Sequence, residues 1–234
     1  MKMTENCSEA ERQMIINEAS LIRNLNIDEM IQCVEVYEHN DCLVIILEYM
    51  DQKSLFNIVT NNYETYSEDF CKYTLYKVAL GLSKMHRQNV LHRDIKSENI
   101  LSSSDGEIKI ADLGFSKPVS PERKTRAGTL PFYSPEIAKG IRYSKEVDVW
   151  AYGCFAYELA TGFAPFASES DDEKTLFESI INKHHEEINR DRWSQSFNDF
   201  INKCLIKEAD QRWTMERLLQ HEFLAELQQS SERL

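Results

Sequence analysis

The chain has 234 residues, enough for one domain or two small ones and for a sizeable core without disulfide or metal staples. Its 27 basic and 39 acidic side chains leave a net charge of −12, which excludes a global binder of nucleic acid or anionic membrane because no basic excess exists to neutralise phosphates. With 42% hydrophobic and 28% charged residues the composition is that of a globular chain, and the central charge-free apolar run at residues 149–157 is far too short to span a membrane. The first eleven residues are polar and carry Glu5, Glu9 and Glu11, so no signal-peptide pattern is present. Six cysteines, at 7, 33, 42, 71, 154 and 204, form no CxxC pair and read as reduced thiols of a cytoplasmic protein. The first of seven glycines is Gly81, so no glycine-rich phosphate loop exists in the N-terminal third.

In chain order, Ser8 and Glu11 have capping-box spacing, and Ile15, Ala19 and Ile22 behind them recur at helical spacing. Glu18 falls among them, and on periodicity alone it is a flank position that reaches solvent. Residues 31–37 alternate loosely, and 43–47 form a continuous apolar run after a turn at Asn40-Asp41; both read as strands. Ser67, followed by Glu68 and Asp69, caps a long helix to about Arg87 with Leu75, Val78, Ala79, Leu82 and Met85 inside. Short β pieces at 100–101 and 108–110 flank a turn at 102–106, and an irregular stretch covers 115–133. Helices follow at about 145–160, 173–182, 196–204 and 214–219. A helix and a few strands followed by mostly helix implies an α+β fold, a small lobe joined to a larger helical one near residues 50–54.

Three pieces carry chemistry. Residues 92–99 read His-Arg-Asp-Ile-Lys-Ser-Glu-Asn; Asp112-Leu113-Gly114 begins thirteen residues after Asn99; Ser134-Pro135-Glu136 ends twenty-two residues after Gly114. Each alone is weak. In this order, each beside a short strand or turn, the set resembles the protein-kinase signature of catalytic loop, metal-binding D-x-G and the end of the activation segment. The resemblance covers residues 2–224 and is strongest to the sterile-20-like serine/threonine kinases, the group of the p21-activated kinases, through residues 15–18, 92–99 and 220–224.

That resemblance implies ATP and Mg²⁺ as cofactors, and proteins with Ser or Thr acceptors as substrates. It makes Asp94 the residue that accepts the substrate hydroxyl's proton, Lys96 the group that steadies the transferred phosphate, and Asn99 and Asp112 the Mg²⁺ ligands. Lys96 and Thr129, the latter ahead of the substrate-docking loop, argue for Ser/Thr rather than Tyr substrates. Leu47 would guard the back of the adenine pocket, with Glu48 and Met50 giving backbone contacts to the base. Glu136 should pair with Arg212, and Asp148 should hydrogen-bond the catalytic-loop backbone. Ile22, Val34, His92 and Leu113 should stack as a column through both lobes. Thr125, four residues before Thr129, occupies the position of the group's activating phosphate, set by an upstream activator or by autophosphorylation. Arg93 would be its main partner and Lys117 a second.

The chain departs from the family pattern at its start. The lysine ahead of the first helix is Lys2, sixteen residues before Glu18, the spacing expected between the ATP lysine and its helix glutamate. Residues 1–234 therefore read as a single kinase domain, with 1–50 a partial N-lobe lacking two strands and their glycine loop, and 51–234 the C-lobe. The rival reading is a binding or scaffold protein of kinase-like fold without useful catalysis. His184-His185 and Asp171-Asp172-Glu173 read as solvated helix ends, and Trp150 and Trp193 as core.

Overall fold

The computed structural model describes residues 2–4, 9–39, 42–56, 59, 66–120, 122–167 and 172–231. The small part is α+β: strands β1 (Lys2–Thr4), β2 (Cys33–His39) and β3 (Cys42–Leu47) form an antiparallel sheet in the order β1-β3-β2, and helix α1 (Glu9–Leu25) packs on it. The apolar run foreseen at 43–47 is β3, where Leu43, Val44 and Ile45 are buried. The helix contributes Ile15 and Ala19 to the same small core as Leu43 and Ile45. Ser8 and the Asn40-Asp41 turn lie outside the described residues.

Two expectations in this part are corrected. Glu18 is buried at 9% exposure, not a solvated flank, because α1 lies against the D-x-G turn as well as the sheet. Val34 is 63% exposed and cannot join an apolar column. The register of β2 shifts between Cys33 and Glu35, and it is Cys33 that packs against both core clusters.

The larger part is mainly helical. Strands β4 (Lys53–Ser54), β6 (Ile100–Ser102) and β7 (Ile108–Ile110) make a second sheet, and β5 (Val90–Leu91) pairs with β8 (Lys117–Pro118). The Ile110 amide donates to Glu29 O and the Ile31 amide to Ile110 O, each at 2.8 Å, which ties the small part to the large one. Helix α2 (Glu68–Arg87) begins where Ser67 Oγ accepts the Phe70 amide at 3.2 Å, as the acidic first turn foretold. Its apolar set, Leu75, Val78, Ala79, Leu82 and Met85, is fully buried, worth roughly 1.5–3 kcal/mol for each of the larger side chains.

Short helix α3 (Pro135–Ala138) is capped by Ser134. Helix α4 (Glu146–Thr161) is buried along most of its length and ends on Gly162 at φ 83°, a left-handed cap suited to glycine. Helices α5 (Glu173–Asn182), α6 (Gln195–Cys204), α7 (Met215–Leu219) and α8 (Glu222–Ser231) complete it, with Asp172, Ser194 and Thr214 capping the first three. Trp150 and Trp193 are core residues, at 0% and 3% exposure. Among the described residues no helix is long and apolar enough to cross a membrane.

Candidate active site

The catalytic loop leaves β5 in a strained turn. Arg93 has φ 71°, a left-handed conformation that costs a non-glycine residue about 1–3 kcal/mol. Asp148 of α4 compensates: its Oδ2 accepts the His92 amide at 2.9 Å and its Oδ1 the Arg93 amide at 2.7 Å. His86 Nε2 donates to the same Oδ2 at 2.9 Å. Burial pushes this carboxyl up, but the His86 hydrogen bond, the attraction of the His86 ring and the hydrogen bond from the His92 amide outweigh it, so Asp148 sits below the ordinary range. Burial in turn pushes His92 down, towards neutral imidazole. Its Nε2 lies 3.1 Å from Ala111 O and its Nδ1 3.3 Å from the Asp94 amide, a pattern that fits an Nε2–H tautomer with Nδ1 accepting.

Asp94 is held by three side chains. Asn99 Nδ2 donates to its backbone O at 2.8 Å and to Oδ2 at 2.9 Å. Thr129 Oγ1 donates to Oδ1 at 2.7 Å, and Lys96 Nζ stands 3.3 Å from Oδ2 while donating to Thr129 Oγ1 at 2.6 Å. The structure thus brings Asp94, Lys96, Asn99 and Thr129 into one cluster. Gly128 is a residue whose importance the sequence did not disclose: at φ 97°, a Cβ on it would stand 2.2 Å from Arg93 O. Only glycine lets the activation segment approach the catalytic loop so closely.

Asn99 commits its amide N–H groups to Asp94, which leaves its Oδ1 as the atom able to face a cation. The Ala111 amide donates to Asn99 O at 2.8 Å, so Asp112 follows directly beyond Asn99. Asp112 adopts φ 60°, ψ 79°, and its side chain accepts the Gly114 amide at 3.2 Å. A carboxylate and an amide oxygen form a hard-oxygen donor set, the chemistry that Mg²⁺ requires.

Leu47 is half-buried at the end of β3 and Met50 is buried. Between them Glu48 is anchored by its amide to Gln32 O at 2.9 Å and by Oε1, which accepts the Gln32 amide at 2.8 Å and lies 3.7 Å from Lys109 Nζ. Lys2 pairs in register with Ile45 of β3, but its side chain, and with it a Lys2–Glu18 pair, lies outside the described residues. Glu18 lines a cavity of about 240 Å³ with Leu113, Gly114 and Lys117.

In the activation segment, Arg93 Nε donates to Phe115 O at 2.6 Å and Nη1 reaches Thr125 Oγ1 at 3.3 Å. Tyr143, absent from the sequence reading, joins them: its hydroxyl donates to Thr125 O at 2.8 Å and accepts from Arg93 Nη1 at 3.2 Å. Thr125 itself is exposed. Lys117 pairs in β8 with Leu91 and lines the Glu18 cavity, where the structure shows no bond to Thr125. Below the segment, Arg212 and Glu136 form a two-point ion pair at 2.9 and 3.2 Å, both side chains buried. Glu158 is a second residue that no local pattern marks. It accepts Ser97 Oγ at 2.9 Å and the Ser97 amide at 3.2 Å, and burial pushes its carboxyl up to about 7.

His185 hydrogen-bonds Asn202 and the Glu186 carbonyl, and no metal-holding cluster of His, Cys, Asp or Glu exists among the described residues.

Comparison with known families matches residues 1–224 to the protein kinase domain. The chain is 32% identical over 231 residues to a probable myosin light chain kinase of Dictyostelium discoideum, covering 95% of this chain and 58% of that protein. It is 34% identical over 219 residues to the serine/threonine-protein kinase STE20 of Yarrowia lipolytica, covering 92% and 19%. It is 31% identical over 220 residues to the serine/threonine-protein kinase max-2 of Caenorhabditis elegans, covering 93% and 34%. The chain therefore spans between a fifth and three fifths of the length of these relatives.

Proposed function

This chain belongs to the protein kinase domain family, and on that premise we propose that residues 1–234 act as one kinase domain. It transfers the γ-phosphoryl group of ATP to Ser or Thr hydroxyls of protein substrates. The observation that carries this reading is the Asp94 cluster. The substrate hydroxyl donates its proton to Asp94 Oδ1, which has a second lone pair beside the Thr129 bond. Its oxygen forms the new bond to phosphorus while the bond to the ADP oxygen breaks, and ADP leaves with the electron pair. Lys96, beside Asp94 and Thr129, supports the negative charge on the phosphoryl group in transit. Asn99 Oδ1 and the Asp112 carboxylate are the oxygens that would hold Mg²⁺, which supplies charge neutralisation between the phosphates when bound.

Leu47, Glu48 and Met50 form the wall against which the adenine would lie, and Lys2 and Glu18 are the proposed pair for the α- and β-phosphates. A cytoplasmic location agrees with both the substrate and the absence of a spanning helix among the described residues. Thr125 is the proposed regulatory site. Its hydroxyl already lies within reach of the Arg93 guanidinium, so a phosphate there would convert a 3.3 Å hydrogen bond to an uncharged hydroxyl into an ion pair.

The test is transfer of labelled phosphate from Mg²⁺-ATP to a Ser/Thr peptide. Asp94→Asn should lower the rate by roughly 10²–10⁴, the usual worth of a positioned acid–base group. Undiminished transfer by that variant defeats the assignment, and labelling confined to a tyrosine peptide overturns the Ser/Thr reading.

A further inference from the structure

Lys207, in the turn after α6, has no place in the mechanism, and its surroundings are unlike those of a surface lysine. Its Nζ stands 4.2 Å from the centre of the Phe166 ring and 4.8 Å from that of Trp150, two rings stacked at 5.6 Å. It donates to the carbonyl of Ile180 at the end of α5. It also lines a cavity of about 230 Å³ whose walls include Phe166, His185, Leu205 and Ile206. The Trp150 indole N–H is buried and has no hydrogen-bond partner.

We propose that Lys207 is a modification site, a nucleophilic lysine acylated by short-chain acyl thioesters. In the reaction the neutral Nζ attacks the thioester carbonyl carbon and an N–C bond forms. The C–S bond breaks, the thiol leaves with the electron pair, and the proton lost from nitrogen goes to it. The product is an amide and a free thiol, with no oxidant or reductant required.

Three features fit this chemistry. The first is the state of the amine. Burial lowers Lys207 to about 8; Arg212 and Lys139 push the same way, while Cys154 and Glu208 oppose. At pH 7.4 roughly a fifth of the amine is then unprotonated, against about one part in a thousand for an ordinary lysine. His184 and His185 face it from the cavity wall, and burial pushes His185 down, towards a neutral ring that adds no repulsion to the amine's own charge. The second feature is the room: an amide retains one N–H for Ile180 O, and a short acyl chain finds Phe166 and Leu205 as apolar walls. The third is charge. Trp150 also carries the Arg212 guanidinium 5.1 Å from its centre, so neutralising Lys207 removes a like charge from that ring.

The experiment exposes the folded chain to acetyl-coenzyme A between pH 6 and 10 and measures initial acetylation of each lysine by peptide mass spectrometry. Lys207 should react at least tenfold faster at pH 7.5 than exposed Lys124 or Lys139, with a rate midpoint near pH 8. In urea-unfolded chain its advantage should vanish. A Lys207 rate equal to or below that of Lys124, a midpoint near 10, or an advantage that survives unfolding would each overturn the proposal.

Discussion

Glu136→Gln probes the tie between the activation segment and the helical part. Arg212 spends its guanidinium entirely inside the protein: Nη1 on Glu136 Oε1 at 2.9 Å and on Glu146 O at 2.7 Å, Nη2 on Glu136 Oε2 at 3.2 Å and Lys207 O at 3.3 Å, Nε on Ile206 O at 2.9 Å. Its side chain is 0% exposed and that of Glu136 is 7%. The amide variant keeps the shape but deletes the counter-charge and turns an NH₂ towards the guanidinium. Removing one partner of a buried pair costs about 3–5 kcal/mol. For a chain of this size each kcal/mol moves Tm by about 2–4 °C, so calorimetry should show a fall of roughly 6–20 °C. Glu187→Gln, at an exposed pair with Arg190, is the control and should leave Tm in place. A double replacement, Glu136→Leu with Arg212→Met, should recover part of the loss, because the cost lies in the orphaned charge rather than in the missing attraction. A Glu136→Gln chain that melts within 2 °C of the parent would refute this reasoning.

Two further outcomes follow from the geometry. Glu158 is pushed up to about 7 in the folded chain from an ordinary 4.5, so folding favours its protonated form. That contribution is fully present below about pH 4.5 and is lost as pH rises through 7, on the order of 3 kcal/mol in all. Urea unfolding of Glu158→Gln should lack this decline between pH 5 and 7; an unchanged slope would remove Glu158 as its source. Thr125→Ala, after incubation of both proteins with ATP, should leave peptide phosphorylation at least fivefold below that of the parent. It should also leave the 115–133 segment equally open to protease before and after; full activity in the alanine chain sinks the switch.

The elements legible in the sequence were those whose signals are local. Ser67 with its acidic turn and the apolar spacing of α2 both depend on neighbours a few residues away, and both survived folding. Strands β4, β5 and β8 did not show because two residues carry no period; their partners create them. Glu18 was misjudged because periodicity sees one packing face, whereas α1 packs against the D-x-G turn as well as the sheet. Val34 was misplaced by one position, since a bulge reverses which face a strand residue takes. In the site, the order of Asp94, Asn99 and Asp112 was readable as a linear pattern. Tyr143 and Glu158 were not, because they reach Arg93 and Ser97 across 50 and 61 residues.

Those long reaches bear on how a phosphate at Thr125 would act. The backbone at Arg93 is already fixed, its left-handed turn held from below by the buried carboxylate of Asp148. The Arg93 side chain leaves that rigid base and meets three points of the segment and its flank: Phe115 O, Thr125 Oγ1 and the Tyr143 hydroxyl. Added negative charge at Thr125 therefore meets an anchor that does not need to move. The part free to respond is the segment, and through Gly128, packed on Arg93 O, the response passes to Thr129 and its bond to Asp94. On the proposal that Thr125 carries a phosphate, the added charge would hold Thr129 and the segment in the place they already occupy beside Asp94, so loss of the phosphate should weaken peptide binding more than it alters the acid–base group itself.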